Sequence, residues 1–117
     1  MRLFSVRYLL LAAAVLFLAQ SQWANAADAG QKGADTFHNT CEMCHGATGT
    51  GSAMGKSLQV PDLLSEQIQS QTDAELARFI AEGKGAMPAF KNSLSHEQIV
   101  DEVHYIRYLK EHYGAHK

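Results

Sequence analysis

The stretch that decides the fold is Cys41-Glu42-Met43-Cys44-His45. Its spacing, Cys-x-x-Cys-His, is the signature of covalent c-type haem attachment. Two thiols separated by two residues can add to the two vinyl groups at one edge of a porphyrin. The histidine that follows the second thiol directly is then close enough to bind the iron through its imidazole. The motif therefore predicts one haem c per chain, with Cys41 and Cys44 as the attachment residues and His45 as an axial iron ligand.

A Cys-x-x-Cys pair also has two other interpretations, a redox-active disulfide and half of a zinc site. The chain contains 2 cysteines in total, so no second pair is available to complete a four-cysteine zinc site. The sequence around the motif also lacks the strand–helix pattern of a thioredoxin-type unit. These two observations favour haem attachment.

The first 26 residues have the organisation of a secretory signal peptide. Arg2 and Arg7 form a basic segment, an apolar run of 12 residues follows, and Ala24-Asn25-Ala26 is a small-x-small cleavage site. A run of that length is too short to cross a hydrocarbon core of about 30 Å as a helix, which disfavours the alternative of a retained membrane anchor. We expect residues 1–26 to be cleaved, and residues 27–117 to form a periplasmic domain with no stable membrane insertion.

The domain left after cleavage is small and acidic. Residues 27–117 carry 8 Lys and Arg against 12 Asp and Glu, a formal charge of −4. This balance argues against a nucleic acid partner, because phosphates need a basic face. With both cysteines used by the haem, no disulfide can brace the domain, and a chain this short buries only a marginal core. We therefore expect the haem to form much of the core.

Three helical segments are predicted, and no strand pattern stands out, so the fold class is all-α. The first helix runs from about Ala29 to Thr40. The second starts at the N-cap Thr72 and ends near Gly83, and the third runs from Ser95 to about Tyr113; both begin with capping-box spacing. The first helix is predicted to carry Gly33, Phe37 and Cys41 on one face, and the second to have an apolar stripe of Leu76, Phe79 and Ile80. The buried stripe of the third helix is predicted to consist of Ile99, Val103, Ile106 and Tyr113, with Tyr105 and Leu109 flanking it.

Two loops between these helices bear on the haem. The glycine-rich segment 46–55 is predicted to be a loop that turns sharply beside the porphyrin. The second loop contains Gly85-Ala86-Met87-Pro88, in which the proline fixes a backbone torsion next to a soft thioether. We predict Met87 as the second axial ligand of the iron. Met54 is the main alternative, although it lies only nine residues after His45 and has a short tether; bis-histidine ligation is the other.

Taken together, the motifs resemble a small class I monohaem cytochrome c of the bacterial, exported type. The resemblance covers residues 28–113. It rests on four groups of residues: Cys41-Glu42-Met43-Cys44-His45-Gly46, Pro61-Asp62-Leu63, Gly85-Ala86-Met87-Pro88-Ala89-Phe90, and Tyr105-Ile106. It implies three or more helices wrapped around one covalently attached haem.

The resemblance also implies particular contacts. The first and last helices should cross closely, with Gly33 and Phe37 packed against Val103, Tyr105 and Ile106. The proximal histidine, His45, should donate a hydrogen bond from Nδ1 to the backbone carbonyl of Pro61, which would orient the imidazole and make it a better ligand.

The implied function is that of a one-electron carrier, not an enzyme, in which a His/Met-ligated haem iron cycles between Fe(III) and Fe(II). Its implied partners are redox proteins, one donor and one acceptor, with no nucleic acid. One alternative is an electron-accepting haem subunit of a periplasmic dehydrogenase or oxidase complex. Another is a haem enzyme or sensor with a displaceable sixth ligand, which is disfavoured because nothing in the sequence resembles the distal acid/base pair of a peroxidase.

Overall fold

The computed structural model describes residues 32–116, and residues 32–115 with their side chains; this part is helical and contains no strand. Five helices follow one another: α1 at residues 32–45, α2 at Ala53–Ser57, α3 at Glu66–Gln69, α4 at Asp73–Glu82 and α5 at His96–Tyr113, with a 3₁₀ turn at Gly114–His116. The predicted signal peptide, its cleavage site and the start of the first helix lie outside the described residues. Within the described residues, no helix is long and apolar enough to cross a membrane.

Helix α1 continues beyond the predicted end at Thr40. It is α-helical over 32–36, π-helical over Phe37–Cys41 and α-helical again over Glu42–His45. It ends at Gly46, whose φ of 73° lies in the left-handed region that glycine tolerates, and whose N–H donates to the Glu42 carbonyl at 2.8 Å. The predicted boundary was wrong because Gly46 is the terminator. As a result, the whole Cys-x-x-Cys-His motif lies on one helix.

Two short helices, α2 and α3, were not predicted. Helix α2 begins inside the glycine-rich segment 46–55, so the loop prediction was wrong from Ala53 onward. Its N-cap is Ser52, whose hydroxyl accepts a hydrogen bond from the N–H of Gly55 at 3.0 Å. Helices of four or five residues are too short to show a hydrophobic period, and a glycine inside α2 lowers its propensity further.

The capping boxes predicted for α4 and α5 are confirmed. The Thr72 hydroxyl accepts from the N–H of Glu75 at 3.2 Å, and the Glu75 carboxylate accepts from the N–H of Thr72 at 2.8 Å. Ser95 and Gln98 make the same pair of bonds at 3.1 Å and 2.9 Å. Each box satisfies two N–H groups near the helix start that have no partner within the helix. Both helices end at the glycines that follow them, as predicted.

Helices α1 and α5 cross at Gly33, which confirms the predicted close crossing. A Cβ at this position would lie 2.3 Å from the Asp101 carbonyl oxygen and 2.7 Å from the Tyr105 Cβ, so only glycine allows this approach. One turn further along α1, Phe37 is 1% exposed and its ring centroid lies 5.2 Å from that of Tyr105. Close packing against α5 therefore stabilises the first helix, whose intrinsic helix propensity is poor.

The core is built from apolar side chains of α1, α4, α5 and the segment before α3: Phe37, Leu63, Leu64, Leu76, Ile80, Ile99, Val103, Tyr105, Ile106 and Leu109. Two predicted positions differ. Phe79 is only half-buried. Tyr113 is 43% exposed at the end of α5, whereas Leu109, expected to flank the stripe, is 0% exposed and continues it three residues after Ile106.

Two cationic side chains of α5 fix the segment between α2 and α4. Arg107 donates to the backbone carbonyls of Gln69 and Gln71 at 3.0 Å and 2.6 Å, and to Asp73 at 2.8 Å. Lys110 donates to the Leu64 carbonyl at 2.8 Å. These bonds satisfy carbonyls that irregular backbone would otherwise leave unpaired.

Candidate haem site

The two cysteines and the histidine of the motif lie on the last turns of α1. Cys41 is the last residue of the π-helical part, and Cys44 and His45 are in the α-helical turn that follows. Both thiols are half-buried and neither is in a disulfide. Single π-helical turns recur at functional sites in proteins. One continuous helix therefore sets the relative positions of both thiols and the imidazole.

The glycine-rich segment holds the end of α1 through its backbone. The N–H of Gly51 donates to the His45 carbonyl at 2.7 Å, and the N–H of Ser52 donates to the Cys44 carbonyl at 3.0 Å. The Ser52 hydroxyl also donates to the Met43 carbonyl at 2.6 Å. These are carbonyls at a helix end, which have no partner within the helix. Hydrogen bonds from the glycine-rich segment that follows the motif therefore fix the end of α1.

Helix α2 packs directly on this end of α1. Gly55 is buried, and a Cβ at this position would lie 1.8 Å from the Cys44 carbonyl oxygen. Since a backbone carbonyl cannot move away as a flexible side chain can, the contact requires glycine.

We expect Gly55→Ala to destabilise the domain by about 1–3 kcal/mol, as overpacking of a well-packed interior does. For a domain of this size, that corresponds to a fall in melting temperature of roughly 4–8 °C per kcal/mol. Thermal unfolding followed by circular dichroism measures it. Gly114→Ala is the comparison variant with the smaller expected cost, because a Cβ there meets the Lys110 side chain and not backbone. Equal melting temperatures for Gly55→Ala and the wild type would show that α2 does not pack on the motif in this way.

The environment of His45 favours the neutral form of its imidazole. Its burial lowers the pKa of the ring below the ordinary value for histidine. Its Nδ1 is buried without a hydrogen-bond partner among the described residues. The predicted bond from Nδ1 to the Pro61 carbonyl was therefore wrong for this structure. Pro61 is exposed, and its neighbours bond to the glycine-rich segment instead, with the N–H of Val60 donating to Gly55 and that of Leu63 to Gly49.

The loop that contains Met87 is tightly folded. The N–H of Lys84 donates to the Met87 carbonyl and the N–H of Met87 to the Lys84 carbonyl, both at 3.0 Å, which closes a turn with Gly85 at φ 59°. After the turn, the N–H of Phe90 donates to the Ile80 carbonyl at 3.1 Å and ties the loop to the end of α4. The backbone therefore holds Met87 in one place, as an axial ligand requires.

The structure separates the three methionines of the described residues by exposure. Met43 is 70% exposed and Met54 is 50% exposed. Met87 is half-buried and packs against the hydrophobic core, as does Cys41. Met87 and Cys41, the first attachment cysteine, therefore pack against the same core. Met54, the alternative ligand from the sequence, is half exposed to solvent.

Sequence reasoning missed one ionisable residue at the site, Glu102. It lies on α5 with 1% exposure, and the Cys41 thiol faces its carboxyl group. Burial raises the pKa of Glu102 to about 8, and burial together with the nearby carboxylate raises the pKa of Cys41 to about 12. The sequence did contain a signal, because Glu102 interrupts the apolar stripe of α5 between Ile99 and Ile106.

The residues present fit a covalently bound haem. A half-buried pair of thiols is available for two thioether bonds, and a neutral imidazole is the protonation state that binds a metal. The Met87 thioether, which packs against the core, is a donor type that c-type haem iron accepts.

The chain is similar to known cytochromes in sequence and in fold. The family model described as "Cytochrome C oxidase, cbb3-type, subunit III" matches residues 28–106. Cytochrome c6 of Nostoc sp. is 37% identical over 97 residues, which cover 83% of this chain and 85% of that protein. Cytochrome c6 of Thermostichus vulcanus is 34% identical over 94 residues, covering 80% and 81%. The solved structure of the KustC0563 c-type cytochrome superposes with a TM-score of 0.63 at 26% identity, covering 67% of this chain and 96% of that one.

Proposed function

The chain belongs to the class I monohaem cytochromes c, and from this premise we propose that it carries single electrons in the periplasm through a haem c ligated by His45 and Met87. Members of this family are electron-transfer proteins with covalently bound haem, not enzymes. The observation that supports the proposal is the burial of Met87, the one described methionine that packs against the hydrophobic core, as Cys41 of the attachment motif also does.

Each proposed site residue has a separate role. Cys41 and Cys44 hold the ring by thioether bonds at the end of α1. The imidazole of His45 and the thioether of Met87 would be the protein ligands of the iron. The bound haem supplies the Fe(III)/Fe(II) couple, and a Met/His ligand pair raises its reduction potential. An iron held by both side chains would have no coordination position left for a substrate.

A ligand-binding experiment tests this proposal. The purified haem protein should cycle reversibly between ferric and ferrous forms by one electron, and carbon monoxide should leave the ferrous absorption spectrum unchanged. A prompt spectral shift with carbon monoxide, or turnover of peroxide, would favour the haem enzyme or sensor instead.

A second candidate is a haem subunit of a larger redox complex, which the match to the cbb3-type oxidase subunit III family favours. The cytochrome c6 relatives favour the free carrier. Size-exclusion chromatography of a native periplasmic extract separates the two, since a free carrier elutes near the mass of one small domain and a subunit elutes with its complex.

The proposed location depends on the signal peptide at residues 1–26. Export and cleavage after Ala26 should release a chain that begins at Ala27, in which residues 27–117 form the haem domain. In the periplasm, a donor and an acceptor protein would bind this domain. N-terminal sequencing of the exported protein checks this, and a chain that still begins at Met1 and sediments with membranes would contradict it.

A further inference from the structure

A buried carboxyl group on α5 faces the haem-attachment helix, with the Cys41 thiol as its polar neighbour. Glu102 is 1% exposed, and among the described residues its carboxyl oxygens face no hydrogen-bond donor other than the Cys41 thiol, whose S–H a thioether bond to the haem would remove. The ion pairs found in this part of the chain, His38 with Glu42 and Arg107 with Asp73, do not include it. A buried carboxylate with no compensating partner is costly, and such a group lowers the cost by binding a proton.

The groups that face Glu102 do not supply a compensating cation. From α1, its neighbour is the thiol of Cys41. From its own helix, Tyr105 is close enough for the carboxylate to contribute to the raised pKa of the phenol. The Tyr105 hydroxyl lies 3.5 Å from Nε2 of His38, whose other ring nitrogen pairs with Glu42. The charge state of Glu102 therefore depends mainly on its burial and on the charge of the group attached at Cys41.

We propose that Glu102 binds a proton when the haem attached at Cys41 is reduced and releases it when the haem is oxidised. This inference rests on the proposed function. In each reduction, one electron arrives from a donor protein and one proton arrives from solvent to convert the carboxylate to a carboxylic acid. In each oxidation, both leave, so that the cycle balances without a further reactant.

The coupling follows from electrostatics. A nearby site that gains an electron becomes more negative, which favours the neutral form of an adjacent carboxyl group. By linkage, a group that prefers to be protonated in the reduced state makes reduction easier at low pH and harder at high pH. Burial raises the pKa of Glu102 to about 8, so the titration of this carboxyl group falls within a range accessible to experiment.

The test is the reduction potential of the haem-loaded protein as a function of pH. Between about pH 6 and 9, the potential of the wild type should fall as pH rises, approaching 59 mV for each tenfold change in proton concentration. Glu102→Gln keeps the shape of the side chain but cannot titrate, so its potential should be nearly independent of pH in that range. Glu111→Gln, the same change at an exposed position of α5, is the control and should retain the wild-type slope.

A second measurement does not depend on the variant folding. The ferrous-minus-ferric infrared difference spectrum of the wild type should contain a positive band from the carbonyl of a protonated carboxylic acid. A reduction potential of the wild type that does not change with pH would overturn the proposal. A pH dependence that persists in Glu102→Gln would also overturn it, because other groups would then bind the proton. A chain without covalent haem or without a reversible couple would instead refute the proposed function.

Discussion

A variant in which Cys41 and Cys44 are both alanine should retain no covalent haem and should lose most of its cooperative thermal transition. The domain left after cleavage of the predicted signal peptide is short, and the two cysteines of the chain are the attachment residues, so no disulfide can stabilise it. A ligand that binds only the folded chain adds its binding free energy to stability, and removing both thioether bonds removes that contribution.

The matched control is Met43→Ala. Met43 lies between the two cysteines but is 70% exposed, so its loss should change neither haem content nor melting temperature appreciably. Haem content is read from the absorption spectrum after denaturing removal of non-covalent haem, and helix content from circular dichroism. Native helix content and a cooperative melt in the double-alanine chain would show that the protein core is sufficient without the haem.

The parts of the fold that sequence could predict are those with a local chemical signature. Thr72 with Glu75 and Ser95 with Gln98 fixed the starts of α4 and α5 because a capping box depends on residues only three positions apart. Gly33 could be placed at the crossing of the first and last helices through the family resemblance, and the structure confirms it by the 2.3 Å approach that a Cβ would make to Asp101.

The parts that sequence missed depend on tertiary contacts. Helix α2 forms because Ser52 caps it and because Gly55 fits against the Cys44 carbonyl, and neither contact can be seen in a glycine-rich segment read alone. Glu102 is an acidic residue in an apolar stripe, and its meaning depends on Cys41 lying opposite it on α1. The two proposed iron ligands differ in this respect. His45 could be predicted from the Cys-x-x-Cys-His motif alone, whereas the preference for Met87 over Met54 is supported by their difference in burial in the structure.

Replacing Met87 with alanine should have the second large effect, on the haem iron and not on the fold. If the Met87 sulfur is the second axial ligand, the ferric wild type should show the weak near-infrared-edge band of sulfur–iron ligation, and Met87→Ala should abolish it. The reduction potential should fall by on the order of 0.1 V, within the roughly 0.8 V over which axial ligands set haem potentials. Carbon monoxide should then bind the ferrous variant, because the position that Met87 occupied is open to it.

Met54→Ala is the matched control for this experiment. Both changes remove one thioether, but Met54 is 50% exposed on α2, whereas Met87 is held by the turn from Lys84 and by contact with the core. The band and the potential should therefore survive Met54→Ala. If Met54→Ala abolished the band while Met87→Ala preserved it, the glycine-rich segment would have to supply the ligand, and the tight turn at Met87 would need another explanation. If neither change affected the band, the sulfur ligand would not be either methionine.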